Sequence, residues 1–449
     1  MMRFGRTIRW SVLLLGVLLY AQGERLLGQS SGAMQELNPS MPPPLDIDLD
    51  RVKASGIDIY TGKHVRLFSD LRDSAKLQEW VQLFDAAVPG WCEFFQVEPK
   101  RLATWKMNGF VMLDQERFRR AGLMPDDLPR FLAGFYRGHE MWLFAQKDDY
   151  YTRHLLLHEG THAFMQWVLR GLGSPWYSEG MAELLAVHRW KDNRLILNYE
   201  LKDRAEAEGW GRVKILRQDY EKRQALKLDD VLNFDGRRFA SEVGCYAWSW
   251  AACKFFSEHD RSKEAFAQLR SNVGSTEFTE RFSKQIQRHR KVLDRDWHIF
   301  LNEVEYGYSV ARAQIRPIKA KSGKFEVDCA AGWQDTGIRV RPGDRFQVVA
   351  TGRFQVCKKQ VEGRMETWPC EANGITIEYY RGRPLGVLLA GVDTGNGTAS
   401  GLIKSKSVGL SEVVEFSKSG TLCLRINESP AKLDDNQGTL MVQIRKIDP

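Results

Sequence analysis

At 449 residues the chain is too long for one compact domain and implies two or three. Its 43% hydrophobic and 27% charged residues describe ordinary globular material. Of the formal charge of +8, from 65 basic against 57 acidic residues, three belong to Arg3, Arg6 and Arg9 and the remaining +5 is diffuse; no basic stripe interleaved with aromatics is present, which argues against nucleic acid as a partner.

The first residues read as an export signal. Arg3, Arg6 and Arg9 make a positive start, and Trp10 to Ala21 form an apolar core. Ala21-Gln22-Gly23 then offers small residues where a signal peptidase cuts. That core is short against the ~20 residues a bilayer span needs. Residues 1–23 are therefore expected to be a cleaved signal peptide, with an uncleaved anchor as the alternative. No cysteine follows the core, which argues against a lipid anchor, and no later segment is long and apolar enough to cross a membrane. The expected location is periplasmic, cell-surface or extracellular. Residues 24–50 read as a linker stiffened by Pro42-Pro43-Pro44.

From residue 51 to 312 a first folded domain is expected. Val65–Phe68, Phe110–Leu113 and Met141–Phe144 read as strands, and Leu77–Phe95 as a helix by its apolar spacing. Tyr150–Arg170 is apolar at helical spacing and stops at Gly171-Leu172-Gly173-Ser174-Pro175. Inside it lies His158-Glu159-Gly160-Thr161-His162. Histidines four apart stand on one helix face, where both imidazoles can close on one Zn²⁺. Glu159, beside the first histidine, is placed to take a proton from water at the ion.

The next segment is Trp176-Tyr177-Ser178-Glu179-Gly180-Met181-Ala182-Glu183, with Ser178 a fair N-cap for a second helix. A tight connection returns that helix beside the first, so Glu179 can be the third ligand, leaving a fourth position open for water. Its alternative is a first-turn acid favoured by the helix dipole. Glu183, one turn on, is assigned to hold the far nitrogen of a ligand histidine, or else is an ordinary exposed acid. His154 suits packing or an outer contact, and His188 could approach the site. His139, His259, His289 and His298 have no partner at metal spacing.

These residues resemble the gluzincin zinc peptidases, also called the peptidase MA clan, in which the glutamate of an S/N-E-G-x-A segment is the third zinc ligand. The spacing from His162 to Glu179 is slightly shorter than in aminopeptidase-N-like members and is similar to the small exported peptidase-MA-like domains. The resemblance runs from about Ser55 to Gly307, and only His154–His188 is specific. It implies an α+β zincin-like metallopeptidase domain: a mixed sheet, a metal helix and a helical C-terminal lobe. It also implies that the strand at about Glu140 to Gln146 borders the cleft and pairs with an extended peptide. Tyr246, within Cys245-Tyr246-Ala247-Trp248, stands where aminopeptidase-like relatives carry a tyrosine that steadies the oxyanion. An aromatic on a core helix is the other reading of Tyr246.

Lys191 to Tyr308 is mainly helical in pattern, with Trp210, Tyr220, Trp248, Trp250 and Trp297 read as core. Cys245 and Cys253 lie about 12 Å apart on one helix, too far to bond. Cys357 and Cys370 are the best local pair, and seven cysteines leave at least one over. Residues 313–324 are basic and proline-broken and read as a linker. Beyond them, 325–449 carries short strands between turns, the pattern of an all-β sandwich.

Trp333-Gln334-Asp335-Thr336-Gly337, Leu424-Arg425-Ile426-Asn427-Glu428 and Asp434-Asp435-Asn436-Gln437-Gly438 resemble the calcium-dependent galactose-binding lectins of bacteria. The resemblance implies Ca²⁺ held at Glu428, Asp435 and Asn436, with carbohydrate bound through it. Glutamate replaces the lectins' aspartate here and the loop is altered, so plain turn chemistry of Asp/Asn-Gly residues is the other reading.

The expectation is a secreted zinc peptidase: His158, His162 and Glu179 hold zinc, Glu159 is the general base, Tyr246 donates to the oxyanion and Glu183 supports a ligand. Its substrate is a peptide or protein, with internal cleavage favoured because no acidic cluster for a free amine is evident. The alternatives are a carbohydrate-binding envelope or adhesion protein with an auxiliary zinc domain, and a structural envelope protein with a vestigial site.

Overall fold

The structure, a computed structural model, describes residues 41–447 apart from Ser322 and Glu362. The expected signal peptide and most of the expected linker lie outside the described residues. Two compact units divide the chain. One runs to Leu197 and takes in Asn233–Tyr246; the other joins Asn198–Leu232 to the chain from Ala247 onward. The molecule is mixed α/β with several sheets, and its C-terminal region is rich in strands. Among the described residues no helix is long and apolar enough to cross a membrane.

The first unit is built on a mixed five-stranded sheet. Its strands are β1 (Asp58–Thr61), β2 (Val65–Ser69), β3 (Met107–Met112), β4 (Gly134–Arg137) and β5 (Glu140–Phe144), in the spatial order β1-β2-β3-β5-β4. β2, β3 and β5 run parallel, while β1 and β4 are antiparallel to their neighbours. Phe68, Phe110, Met112 and Trp142 point to one face and meet Val52 of α1 (Leu49–Ala54) and Phe118 of α3 (Gln115–Arg120). Such alternation of faces is what a pleated strand imposes.

Helix α2 (Ser74–Phe95) starts where Asp73 accepts from the Lys76 N–H, and it ends at Gln96 in the left-handed conformation. It packs on the sheet beside α4 (Asp149–Phe164). Phe84, Trp91, Trp105 and Phe164 interlock there with ring centroids 5.4–6.4 Å apart. Burial of each such ring contributes roughly 1.5–3 kcal/mol, so this contact fixes where α4 sits.

Two expectations for this unit are corrected. Residues 41–48 are not free linker: Leu45 and Ile47 pack against the core cluster, and the Leu45 N–H donates to Glu140 Oε1 at 3.1 Å. The strand at Glu140 is not the outer one either. It lies between β3 and β4, and β4 ends the sheet.

The second unit holds two five-stranded sheets. One has the order Ser411–Glu415, Arg345–Thr351, Thr439–Ile447, Lys324–Asp328, Lys319–Lys321. The other runs Lys406–Ser407, Leu388–Asp393, Gly420–Ile426, Gln334–Val340, Arg316–Pro317. Val327, Val348 and Leu440 of the first meet Leu388, Leu422 and Leu424 of the second in one core. Residues 313–324, expected as a linker, thus supply an edge strand to each sheet, because their backbones pair with Gln334–Asp335 and Lys324–Glu326.

The sequence placed a boundary at residue 312; the helices of Asn198–Leu232 and of residues 247–303 lie in the same compact unit as the sheets. Arg425 of Gly420–Ile426 reaches back to Glu303 of the helix Arg290–Glu303 at 2.9 Å, with both side chains buried. Trp210, Trp248, Trp250 and Trp297 are buried as read, and Tyr220 is half-buried. The Cys357–Cys370 pair is not formed. Cys370 stands opposite Phe354 in the hairpin and keeps a free thiol, while Cys357 falls in the bulge between Val356 and Lys358.

Candidate metal centre

Helix α4 is buried along almost its whole length, from His154 to Phe164 without a break. A helix hidden on every side leaves no face for idle polar groups, so His154, His158, Glu159 and His162 all need partners inside the protein. Gly160 is explained by packing. A Cβ there would come within 2.7 Å of Phe84 and of Trp91 on α2. The glycine lets α2 press against α4 and turns the opposite face, with its histidines, toward α5 (Pro175–Ala186).

Helix α5 opens earlier than its sequence suggests. Pro175 takes the first helical position behind Ser174, so Ser178 lies inside the first turns and is not the cap. Glu179 consequently faces α4. Its Oε2 is 3.4 Å from His158 Nε2 and 3.5 Å from His162 Nε2, and the two Nε2 atoms are 3.3 Å apart. Three ligand atoms bound at about 2.0–2.1 Å around a tetrahedral ion stand roughly 3.3–3.4 Å from one another, so the triangle fits such an ion. The carboxylate of Glu179 is 19% exposed, leaving the cluster open on that side.

Each of these two histidines has its far nitrogen turned to α5. Ser178 Oγ is 3.2 Å from His162 Nδ1, and Glu183 Oε1 is 3.5 Å from His158 Nδ1. Ser178 can accept the Nδ1–H and hold Nε2 as the lone-pair nitrogen. Sequence reasoning missed that role; the signal was its place next to Glu179, on the same helical turn. Glu183 is 2% exposed, which removes the exposed-acid reading. Its second oxygen lies 3.4 Å from His154 Nε2, so His154, His158 and Glu183 form a second cluster sharing His158.

Glu159 lies against Gly134 of β4. A Cβ on Gly134 would overlap its Oε1, so a larger residue at that step of the strand would push the Glu159 carboxylate aside. Burial first, then Glu179 and Glu183, push the Glu159 carboxyl up to about 8, against the opposing pull of His162. Glu179 goes the other way. Burial works to raise it, but His162 and His158 outweigh that and hold it at about 2. A cation among these groups would favour the ionised form of both acids.

Tyr246 opens the helix Gly244–Glu258, with its ring 6.3 Å from that of His158 and 5.3 Å from Phe239. The structure therefore brings Tyr246 to the cluster. It also adds Tyr136 of β4, whose ring stacks on His162 at 6.5 Å. His188 is not a ligand. It stacks on Tyr150 at 4.5 Å and accepts from Arg153 Nε at 3.3 Å, and burial lowers its pKa to about 3. His139 packs edge-on to Trp167.

In the second unit, Asn436 Nδ2 donates to Glu428 Oε2 and to the Cys329 carbonyl, both at 2.9 Å. Glu428 is driven up to about 7, by burial first and by Asp435 after it. Among the described residues no group of three converging His, Cys, Asp or Glu side chains includes Glu428 or Asp435.

No family model matches the chain, and no curated protein matches it. Among solved structures, a domain described as "EclA N-terminal domain; PllA-like lectin" is 18% identical. The match covers 28% of this chain and 100% of that one, with a TM-score of 0.20, a likeness too slight to carry an argument.

Proposed function

We propose that the first unit is a zinc-dependent peptidase of the gluzincin kind, with a zincin-like fold, acting on peptide or protein substrates outside the cytoplasm. The reading is carried by one observation: His158 Nε2, His162 Nε2 and Glu179 Oε2 converge at 3.3–3.5 Å, within electrostatic reach of Glu159. Two imidazoles and one carboxylate at tetrahedral spacing suit zinc and leave a position open. Bound there, zinc supplies Lewis acidity toward a carbonyl oxygen and lowers the pKa of water.

The chain's own groups account for the rest. A Glu159 carboxylate oxygen takes the proton of the attacking water and passes it to the leaving amine. A carboxylate beside the cluster is placed to hold that proton between the two transfers. The Tyr246 O–H is the donor for the oxyanion. β4 ends its sheet and lies along Glu159, so its outer backbone is the edge to which an extended substrate adds as a strand.

The test is Glu159→Gln in the full chain. The variant is expected to keep one zinc per molecule and to lose turnover on a peptide library by about 10³-fold or more. Unchanged turnover, or wild-type protein that holds no zinc, would sink the reading.

A further inference from the structure

The contact between Glu183 and His158 is the first link of a longer buried chain. Glu183 Oε1 is 3.5 Å from His158 Nδ1, and Oε2 is 3.4 Å from His154 Nε2. His154 Nδ1 donates to the Ala186 carbonyl at 3.0 Å, since a carbonyl can only accept. The same carbonyl receives His188 Nδ1–H at 2.9 Å. His188 Nε2 then accepts from Arg153 Nε, and Arg153 Nη1 stands 3.6 Å from Glu79 near the surface.

The rings along this chain are clamped. Tyr150 lies parallel to His188 at 4.5 Å, and Tyr151 lies nearly parallel to His154 at 5.7 Å. Ala186 is the last residue of α5, while Ser178 and Glu179 sit near its start. The two helices that carry the three converging atoms are therefore joined at both ends of α5. A purely space-filling role for His154 would be served by an apolar side chain at lower desolvation cost.

We propose that His154, backed by His188, is a positioning residue: it fixes the carboxylate of Glu183 and through it the pose of His158 Nε2. The inference rests on the metal reading above and deepens it. Changes to groups behind a metal ligand typically weaken metal binding by about 10- to 100-fold.

Zinc affinity of the full chain, measured by competition with a chromophoric chelator, tests this on wild type, Glu183→Gln, His154→Phe, His154→Gln and the double variant Glu183→Gln/His154→Phe. His154→Phe is expected to lose about tenfold in affinity and to shift the visible bands of the cobalt-substituted protein. The double variant should bind no more weakly than Glu183→Gln alone, because His154 acts through Glu183. His188→Phe, one link farther, should lose less. Should His154→Phe fail to fold, His154→Gln and His188→Phe carry the same comparison. Wild-type affinity and an unshifted cobalt spectrum in a folded His154 variant would overturn the inference while leaving the metal reading intact. So would losses that multiply in the double variant. Wild-type protein without zinc would remove the metal reading, and the inference with it.

Discussion

Asp296 in the second unit and Glu179 in the first are both carboxylates beside a histidine, and their surroundings differ in where the protons lie. Asp296 receives His259 Nε2 at 3.0 Å and Arg295 Nε at 2.8 Å, and Arg295 reaches on to Asp393. His259 in turn accepts the Arg261 N–H at Nδ1, so its remaining proton belongs to Asp296. Glu303 and Arg425 are joined the same way at 2.9 Å. Each of these carboxylates faces a guanidinium. Around Glu179, two imidazole Nε2 atoms stand 3.3 Å apart and can share at most one proton, with a carboxylate oxygen 3.4–3.5 Å from both. That arrangement gathers acceptors that one cation could share. Burial of charge is common to both units; convergence of lone pairs belongs to the first.

The largest expected effect falls on the closed network. Glu303→Gln leaves Arg425 charged and buried without its carboxylate, which should cost about 3–5 kcal/mol in denaturant unfolding. Because the network needs no ion, the loss should be the same with and without a chelator. A loss that appeared only when metal was withheld would erase the contrast between the units.

The next effect tests the frame that keeps the first unit's cluster in place. Gly160→Ala puts a methyl 2.7 Å from Phe84 and Trp91. Overpacking of this kind should cost about 2 kcal/mol, measured in chelator-treated protein so that metal binding does not contribute. Unaltered stability would mean that α2 yields, and that the position of α4 is not set by that contact.

These two positions also mark what the sequence can convey. His158, His162 and Glu179 were legible because helical periodicity alone puts the histidines on one face, and a Gly/Pro break returns the next helix beside it. Gly160 looked like a filler, since its reason lies on α2, far away in the chain. Ser178 was misplaced by one turn because Pro175 moves the helix start back to Ser174. β4 went unseen, being four residues between Phe131 and Gly138 with every side chain half-buried and no alternation to read. The helices within Asn198–Leu232 and within residues 247–303 fall with the sheets, where the sequence grouped them with the first domain. What binds them to the sheets are pairs such as Arg295–Asp393 and Arg425–Glu303, 98 and 122 residues apart in sequence, which leave no local pattern.

Glu428 is the second unit's exception and the place where the contrast can be sharpened by pH. It is buried with an amide, Asn436, as its hydrogen-bond donor, and its carboxyl is raised to about 7 against about 4.3 in an unfolded chain. Below about pH 4 both states hold the proton and its contribution is fully present; as pH rises through 7 the folded state must give it up and the contribution is lost. Glu428→Gln should therefore match wild type near pH 4 and exceed it at pH 8, the gap opening between about pH 4 and pH 7. Adding calcium at pH 8 sorts the two readings of this loop. A calcium-dependent gain in wild type that Glu428→Gln abolishes would make it an ion site, whereas no gain leaves a buried acid in a turn.

Ser178→Ala carries the smallest effect and bears most directly on the first unit. The hydroxyl meets His162 Nδ1 at 3.2 Å, and Ser178 is 5% exposed, so water has little room to replace it. Without it the Nδ1–H loses its acceptor, and the proton is free to move to Nε2, where it opposes metal binding. A neutral hydrogen bond of this length is worth about 1 kcal/mol, or roughly fivefold in zinc affinity. Ser178→Thr keeps the hydroxyl and should recover most of that loss. The stability of the metal-free protein should hardly change, because in that state either ring nitrogen can carry the proton. If Ser178→Ala instead weakened the metal-free fold and left zinc affinity alone, the hydroxyl would belong to helix packing, and the first unit's cluster would stand nearer to the closed networks of the second.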